Sequence, residues 1–531
     1  MTNTSMDFDV LVIGSGFGGA ITACRLAQRS KKVLVLERGR RWDRSTYPRK
    51  PEDDWIWSRT HPERFHGWAD LRRFKGMAVI AGAGVGGGSL IYANVSAVPP
   101  PSVFESGWPA EITYAELQPY YDTVAYMLDI QRVPEKQQSP RVQLMRDAAE
   151  KLGQAQRFRL ADLAVSFDQT VTYDFSVEPD IRNSIRFLNK HGVEQGYCAH
   201  LGECDIGCRA DAKNTLDKNY LHIAERNGAE IRPLHLVTHI EPIAGGYRVH
   251  HRELKDGASI PGSSTAERVV VAAGSMGSTE LLLQCRDLHK TLPNVSPTLG
   301  QHWSSNGDFL TPALYLHRAL WADRGPTIGA VIDYLDGSDN GETYWIQDGG
   351  TPNVLNKYFE AALDRLRKAP SETHLLEGLN MSALLQHLTL LSANLDVSKH
   401  IMPWFAQGVD AGDGELHLTD GVLDLKWDIT RSLGLFETIE KRHHLLAEAT
   451  AGHPFPLPTW FFAKELITPH PLGGCNMGDT ADHGVVNHVG EVFGYKNLFV
   501  ADGAIVPRAV GVNPSRTIGA LAERIAARMP L

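Results

Sequence analysis

Short apolar runs broken by glycine dominate the start of the chain. Residues 10–13 form one, read as a buried parallel strand; Gly14-Ser15-Gly16-Phe17-Gly18-Gly19 follows, then a helix-like stretch over 20–28. A second apolar run, 33–36, ends at Glu37, so this region predicts one βαβ unit. Residues 40–74 are aromatic and charged without clear period and read as irregular cover, before another apolar run at 78–81 and a glycine cluster at 82–88.

Pro99, Pro100 and Pro101 mark a boundary. Periodicity predicts helices over 114–128, 141–152 and 216–227, a loop over 198–212, alternating strands over 231–240 and 247–254, and a buried strand over 269–273 ending at Gly274. Residues 310–464 are richer in Trp, Tyr and Leu, carry no nucleotide signals, and offer strands near 343–346 and 415–428. The last segment returns to strand-then-helix order. There 498–503 reads as strand and turn, Gly511-Val512-Asn513-Pro514 follows, and a helix opens at Ser515 with Ile518, Leu521, Ala522, Ile525 and Met529 on one face. Pro514 suits its first turn and Asn513 its N-cap.

At 531 residues the chain exceeds one ordinary core, so two or more domains are expected. Its 43% hydrophobic and 22% charged residues have the balance of a soluble globular enzyme. A formal charge of −9 argues against a nucleic-acid partner. No apolar stretch is long enough to span a bilayer. The polar start, residues 1–9, lacks the pattern of a signal peptide, so a cytoplasmic location is expected. Six cysteines in this length do not make a disulfide scaffold, which fits a reducing compartment.

Gly14, Gly16 and Gly19 form G-x-G-x-x-G between a strand and a helix. The first glycine permits the tight turn, the second lets backbone approach a pyrophosphate, and the third lets helix and strand pack closely. The helix N-terminus offers N–H groups to phosphate, and Glu37 stands where an acid accepts hydrogen bonds from ribose hydroxyls. This motif alone does not separate NAD from FAD. The second glycine-rich loop, Gly84-Val85-Gly86-Gly87-Gly88-Ser89, points to a ligand stretched across the domain, as FAD would be.

Five segments in order carry a resemblance: G-x-G-x-x-G with Glu37, the loop G-V-G-G-G-S-L, A-G-S-M-G-S-T-E-L-L at 273–282, H-P-L-G-G-C at 470–475, and Y-K-N-L-F-V-A-D-G followed by G-V-N-P. Together they resemble the glucose-methanol-choline (GMC) oxidoreductases, and among them the cholesterol oxidases. The resemblance implies an α/β fold with a Rossmann-like FAD-binding domain (1–110, 195–309, 465–531) and a mixed or antiparallel-sheet substrate domain (111–194, 310–464). It implies noncovalent FAD held by Gly14, Gly16, Phe17, Gly18, Gly19, Glu37, Gly84, Gly86, Gly87, Gly88, Ser89, Asn94, Val237, Gly274, Asp502, Gly503, Asn513 and Pro514, with Ile91 where covalent relatives place a linking histidine.

It also implies His470 as acid/base and Asn513 as its companion in oxidising an alcohol, with O2 or another electron acceptor completing the turnover. The expected substrate is a bulky apolar secondary alcohol such as a sterol. A dehydrogenase for another alcohol and a non-catalytic flavin-binding protein are the alternatives. Two departures stand out. Tyr92-Ala93-Asn94 replaces the Asn-Gly-Gly common in cholesterol oxidases, and Gln347 aligns with the glutamate that moves a proton during double-bond isomerisation. Asp348 adjoins Gln347 but faces the other way on a strand.

Other clusters read as structural. Cys198, Cys204 and Cys208, with His191 or His200 as a fourth ligand, match no common metal spacing, so no metal is expected. The pairs His443-His444 and His250-His251 read as surface, and Cys24 as core packing. Phe309, Trp345, Leu384, Leu385, Trp404 and Phe405 are the apolar residues expected to bear on substrate size.

Overall fold

The computed structural model describes residues 6–354, 396–455 and 457–530. Its central sheet is built from the short apolar runs. Strand Phe8–Ile13 pairs in parallel with Val33–Leu36 on one side and with the end of Ala258–Val271 on the other. Glu230–Arg232 and Leu498–Val500 extend the parallel set at its two flanks. The central strands of this set are buried on both faces and therefore read as continuous Val and Leu runs, without alternation.

The strand Ala258–Val271 serves both the parallel and the antiparallel part of one seven-stranded sheet. Its first half pairs antiparallel with Gly246–Lys255, which pairs with His235–Ile243, and its last residues join the parallel set. The run expected as one strand over 231–240 is therefore split, because Glu230–Arg232 and His235–Ile243 occupy different positions of the sheet. The cover over 40–74 also holds a strand, Ala69–Phe74, which hairpins with Met77–Gly82; the latter pairs in parallel with Leu466–Thr468. Its pattern escapes a periodicity reading because the inward residues include Asp70 and Arg72, which neutralise each other at 3.1 Å.

A second, antiparallel sheet runs in the order His453–Pro454, Phe309–Leu314, Ile401–Gly408, Glu342–Asp348, Ala330–Asp339, Phe158–Leu160. Helix Leu433–Ala449 packs on it through Leu435, Phe436, Ile439 and His443. His443 is fully buried with Nδ1 2.9 Å from Thr311 Oγ1, and burial lowers its pKa to about 3; His251 is buried too. The surface reading of both histidine pairs is corrected accordingly: one member of each turns into the core. Cys24 is buried in the core, as expected. Among the described residues no helix is long and apolar enough to cross a membrane.

Asp348 fastens this sheet. It is buried, accepts hydrogen bonds from the backbone N–H groups of Gly329 (2.7 Å) and Ala330 (2.6 Å), and lies 3.8 Å from the Arg141 guanidinium on helix Pro140–Lys151. Burial pushes its carboxyl up to about 6, against the pull of Arg141. Removing it strands a buried cation and two buried N–H groups. Asp348→Ala is expected to cost about 3–5 kcal/mol, read as a lowered denaturant midpoint at constant m-value; a loss below about 1 kcal/mol would show that the pair is solvated.

Candidate active site

The carboxyl ends of the parallel strands carry the first group of candidate residues. Gly14 turns the chain at φ 96, where a Cβ would lie 2.4 Å from the Ala272 carbonyl oxygen. A Cβ on Gly87 would stand 2.6 Å from the Gly16 Cα, so the two glycine loops touch. A Cβ on Gly16 would meet nothing nearer than 3.9 Å, which leaves space at the start of helix Phe17–Gln28. That helix has no side-chain cap, so its first N–H groups are available to an anion.

Glu37 is buried beneath both loops. Its Oε2 accepts from Ser15 N (3.0 Å) and Ser15 Oγ (2.6 Å), and its Oε1 from Gly39 N (2.9 Å). Burial pushes its carboxyl up, against those hydrogen bonds. Ser15 Oγ also accepts from Gly86 N at 3.1 Å, which joins Glu37 to the second loop. A carboxylate has about four acceptor positions, so capacity for ribose hydroxyls remains. The strand bearing Val237 begins beside it, where His235 N donates to the Glu37 carbonyl at 2.8 Å. Asp502 accepts from Gly274 N (2.8 Å), Ser278 Oγ (2.5 Å) and Ala504 N (2.8 Å), which ties Gly503 and the last strand to helix Gly274–Leu283. Ser89 Oγ donates to Gly86 O and accepts from Leu216 N.

Asn94 is fully buried at φ 67, and both ends of its carboxamide lack a protein partner. Thr215 Oγ1 and Asn214 Nδ2 are also buried without partners. The backbones of Asn94 and Asn214 bond the two ends of one residue, Ala164, at 2.8 and 2.9 Å. Buried polar groups left unsatisfied in this way, next to two glycine loops, fit the polar edge of a dinucleotide. No sequence pattern marked Asn214 or Thr215. Lys213 was likewise unmarked: its buried Nζ donates to the Leu90 carbonyl at 2.8 Å, and burial lowers its pKa to about 8.

The second group meets where the antiparallel sheet faces the C-terminal segment. His470 follows strand Leu466–Thr468, and its Nδ1 lies 2.8 Å from Asp308 Oδ1. Asp308 Oδ2 accepts from Thr468 Oγ1 at 2.5 Å. On the other side, Asn513 Nδ2 is 3.3 Å from His470 Nε2, and Asn513 Oδ1 accepts from Gln347 Nε2 at 2.5 Å. Gln347 Oε1 takes Gln407 Nε2 at 3.5 Å, and Gln407 Oε1 takes Trp345 Nε1 at 2.5 Å. The His470 side chain is 15% exposed, so the chain of polar groups has one end within reach of a ligand.

Asn306 positions Asn513. Its Nδ2 donates to Val512 O at 2.8 Å and its Oδ1 accepts from Val510 N (3.0 Å) and Gly511 N (3.1 Å). The expected N-cap role of Asn513 is corrected: helix Ser515–Arg528 has no side-chain cap, because the Asn513 carboxamide is spent on His470 and Gln347. Of the apolar residues expected at the substrate, Phe405 lies 6.3 Å from the His470 ring. Phe309, Trp345 and Trp404 are instead buried in the core, and Leu384 and Leu385 lie outside the described residues.

The cysteine loop has a different character. Burial pushes the thiol of Cys204 up to about 11 and raises those of Cys198 and Cys208. His200 Nε2 is 3.1 Å from Gln137 Oε1, and His191 Nε2 is 2.9 Å from the Met127 carbonyl. Among the described residues no group of three or more His, Cys, Asp or Glu is placed to hold a metal.

A parallel sheet carrying two touching glycine loops, and an antiparallel sheet that meets the C-terminal segment beside a histidine and an asparagine, are the features to place among known folds. Residues 8–178 and 438–522 match the GMC oxidoreductase family. A cholesterol oxidase of Acinetobacter baumannii is 30% identical over 100% of this chain and 96% of its own length; one of Mycobacterium tuberculosis is 30% identical over 99% and 91%. A long-chain-alcohol oxidase of Arabidopsis thaliana is 25% identical over 98% of this chain and 67% of its own. The crystal structure of pyridoxine 4-oxidase from Mesorbium loti superposes over 98% of both chains with a TM-score of 0.62 at 15% identity. The chain belongs to the GMC oxidoreductase family and is an FAD-dependent oxidoreductase acting on CH–OH groups.

Replacing Asn94 tests the expected contact with the cofactor apart from folding. Glycine at φ 67 is unstrained, and the deleted amide has no protein partner. Asn94→Gly is expected to leave the apoprotein's stability within about 1 kcal/mol while weakening FAD binding about tenfold, measured by fluorescence titration of apoprotein with FAD. Unchanged affinity would take Asn94 out of the cofactor site.

Proposed function

We propose that the protein oxidises an apolar alcohol to the ketone or aldehyde, with His470 taking the hydroxyl proton and Asn513 holding the alcohol oxygen. The observation that carries this reading is the 3.3 Å pair of His470 Nε2 and Asn513 Nδ2 at the accessible end of an otherwise buried polar chain. An alcohol entering there donates its proton to Nε2 and accepts the Asn513 N–H. FAD, when bound, supplies the two-electron acceptor for the hydride that leaves the alcohol carbon. The glycine loops, Glu37 and Asn94 are the residues that would hold it, noncovalently, with Ile91 where covalent relatives carry histidine. Phe405 beside His470 favours an apolar substrate. The names of the relatives, a sterol oxidase and a long-chain-alcohol oxidase, point the same way. O2 is the proposed electron acceptor. A 24% identical relative from Mycolicibacterium austroafricanum is named a dehydrogenase, so activity under air against activity with a dye decides the acceptor.

His470→Ala is expected to slow anaerobic flavin reduction by about 10²-fold or more with FAD still bound. Stopped-flow bleaching against sterols, long-chain primary alcohols and short diols measures it, and a near-normal rate would remove His470 from the chemistry. Acid precipitation of the same preparation is expected to leave the flavin in the supernatant; flavin retained in the pellet would exclude noncovalent binding.

Gln347 restricts the chemistry open to the oxidised product. Both ends of its amide are engaged, and an amide has no second protonation state near neutrality with which to carry a proton. Asp348, the neighbouring carboxylate, is turned away into its bonds with Gly329 and Ala330. A 3β-hydroxy-5-ene steroid, if oxidised, is expected to accumulate as the 5-en-3-one. Chromatography of early products at a pH of slow spontaneous isomerisation checks this, and enzyme-dependent formation of the 4-en-3-one would contradict it.

A further inference from the structure

We propose that Asp308 is a positioning residue that makes His470 a base: it fixes the proton on Nδ1, leaves the lone pair on Nε2, and supplies the counter-charge for the imidazolium formed when the alcohol proton arrives. This role rests on His470 being the base proposed for alcohol oxidation. A carboxylate accepts and does not donate, so the contacts of 2.8 and 3.0 Å from its two oxygens require the hydrogen to sit on Nδ1. Nε2 is then the acceptor, which matches the Asn513 N–H that faces it.

The placement of Asp308 is over-determined. Thr468 Oγ1 donates to its Oδ2 and itself accepts from the His470 backbone N–H at 2.9 Å, so one hydroxyl holds the carboxylate and the histidine in register. Ser304 and Leu472 exchange backbone hydrogen bonds at 3.0 Å each way, which clamps the segment bearing Asp308 to the segment bearing His470. The Asp308 side chain is wholly buried.

Charge is otherwise kept away from the imidazole. Asn513 from the C-terminal segment and Phe405 from Ile401–Gly408 are the neutral neighbours of the ring, and behind Asn513 stand the neutral Gln347 and Gln407. Asp410, packed on the 304–308 segment, is occupied by Ser304 and Ser305. Asp308 is thus the negative charge that faces His470 among the described residues, and the chain from Asn513 to Trp345 is uncharged throughout. The proton moves from the alcohol oxygen to Nε2, and the carboxylate stays ionised.

Histidine-labelled (¹³Cε1, ¹⁵N) holoenzyme tests this without a substrate, with His470→Ala assigning the resonance. Wild-type His470 is expected as the Nδ1–H form. In Asp308→Asn it is expected to shift toward the Nε2–H form, with its titration midpoint lowered by about one pH unit or more, because an adjacent opposite charge favours the protonated ring. Asp308→Glu, which keeps the charge, is expected to keep the midpoint near wild type, and it serves alone if the asparagine variant does not fold. An Nε2–H tautomer in the wild type, or Asn and Glu variants that titrate alike, would overturn the proposal. So would a Glu variant far from wild type. The role of His470 itself is judged separately by the flavin-reduction rate of His470→Ala: a normal rate there sinks the base, while a slow rate with an unmoved Asp308→Asn midpoint sinks only Asp308.

Discussion

Two stretches of backbone come within contact distance at Gly16 and Gly87, and that contact organises the cofactor half of the molecule. It requires an absence of side chains on both loops and a device to hold two coil segments together at the end of a sheet. Ser15 and Glu37 are that device, with one hydroxyl bridging the carboxylate and the Gly86 amide. Burying a carboxylate is costly unless it is hydrogen-bonded, so the backbone N–H groups of Ser15 and Gly39 are drawn onto it. The second loop is then tied from below by Ser89 to Leu216 and by Lys213 to Leu90. Asn94, Asn214 and Thr215 are among the buried groups in this region that keep side-chain atoms without a protein partner.

The other half contributes a floor of neutral polar groups. Trp345, Gln407, Gln347 and Asn513 form a chain from three separate elements, each saturating the next, and it ends at His470. Buried polar networks stabilise only when every member is satisfied, so this one holds the antiparallel sheet in one position against the C-terminal segment. Beside that amide face, the carboxyl of Asp308 stands against the Nδ1 side of the His470 imidazole. The same network engages both the nitrogen and the oxygen of the Gln347 amide.

Much of the parallel sheet was legible because its central strands are buried on both faces, which forces unbroken apolar runs punctuated by glycine. The glycine loops were legible because a close approach of backbone leaves no room for a Cβ, whereas His470 and Asn513 stood out only through the motifs shared with the family. The strand Ala69–Phe74 was not legible, since its inward positions carry Asp70 and Arg72, which are neutralised by each other and by Arg38 and Glu280. His443 and His251 read as surface for the same reason: polarity predicts exposure only until a partner is found.

The sequence by itself determined the βαβ start, the order of the motifs, and through them the family and its redox chemistry. Only the tertiary structure decided that Asn513 contacts His470 rather than capping its helix, that Phe309, Trp345 and Trp404 are core, and that Asp308 lies against His470 and Asn306 against the backbone before Asn513. Those outcomes depend on contacts across 162 residues for His470 and Asp308 and 166 for Gln347 and Asn513, distances over which no local period or spacing carries information.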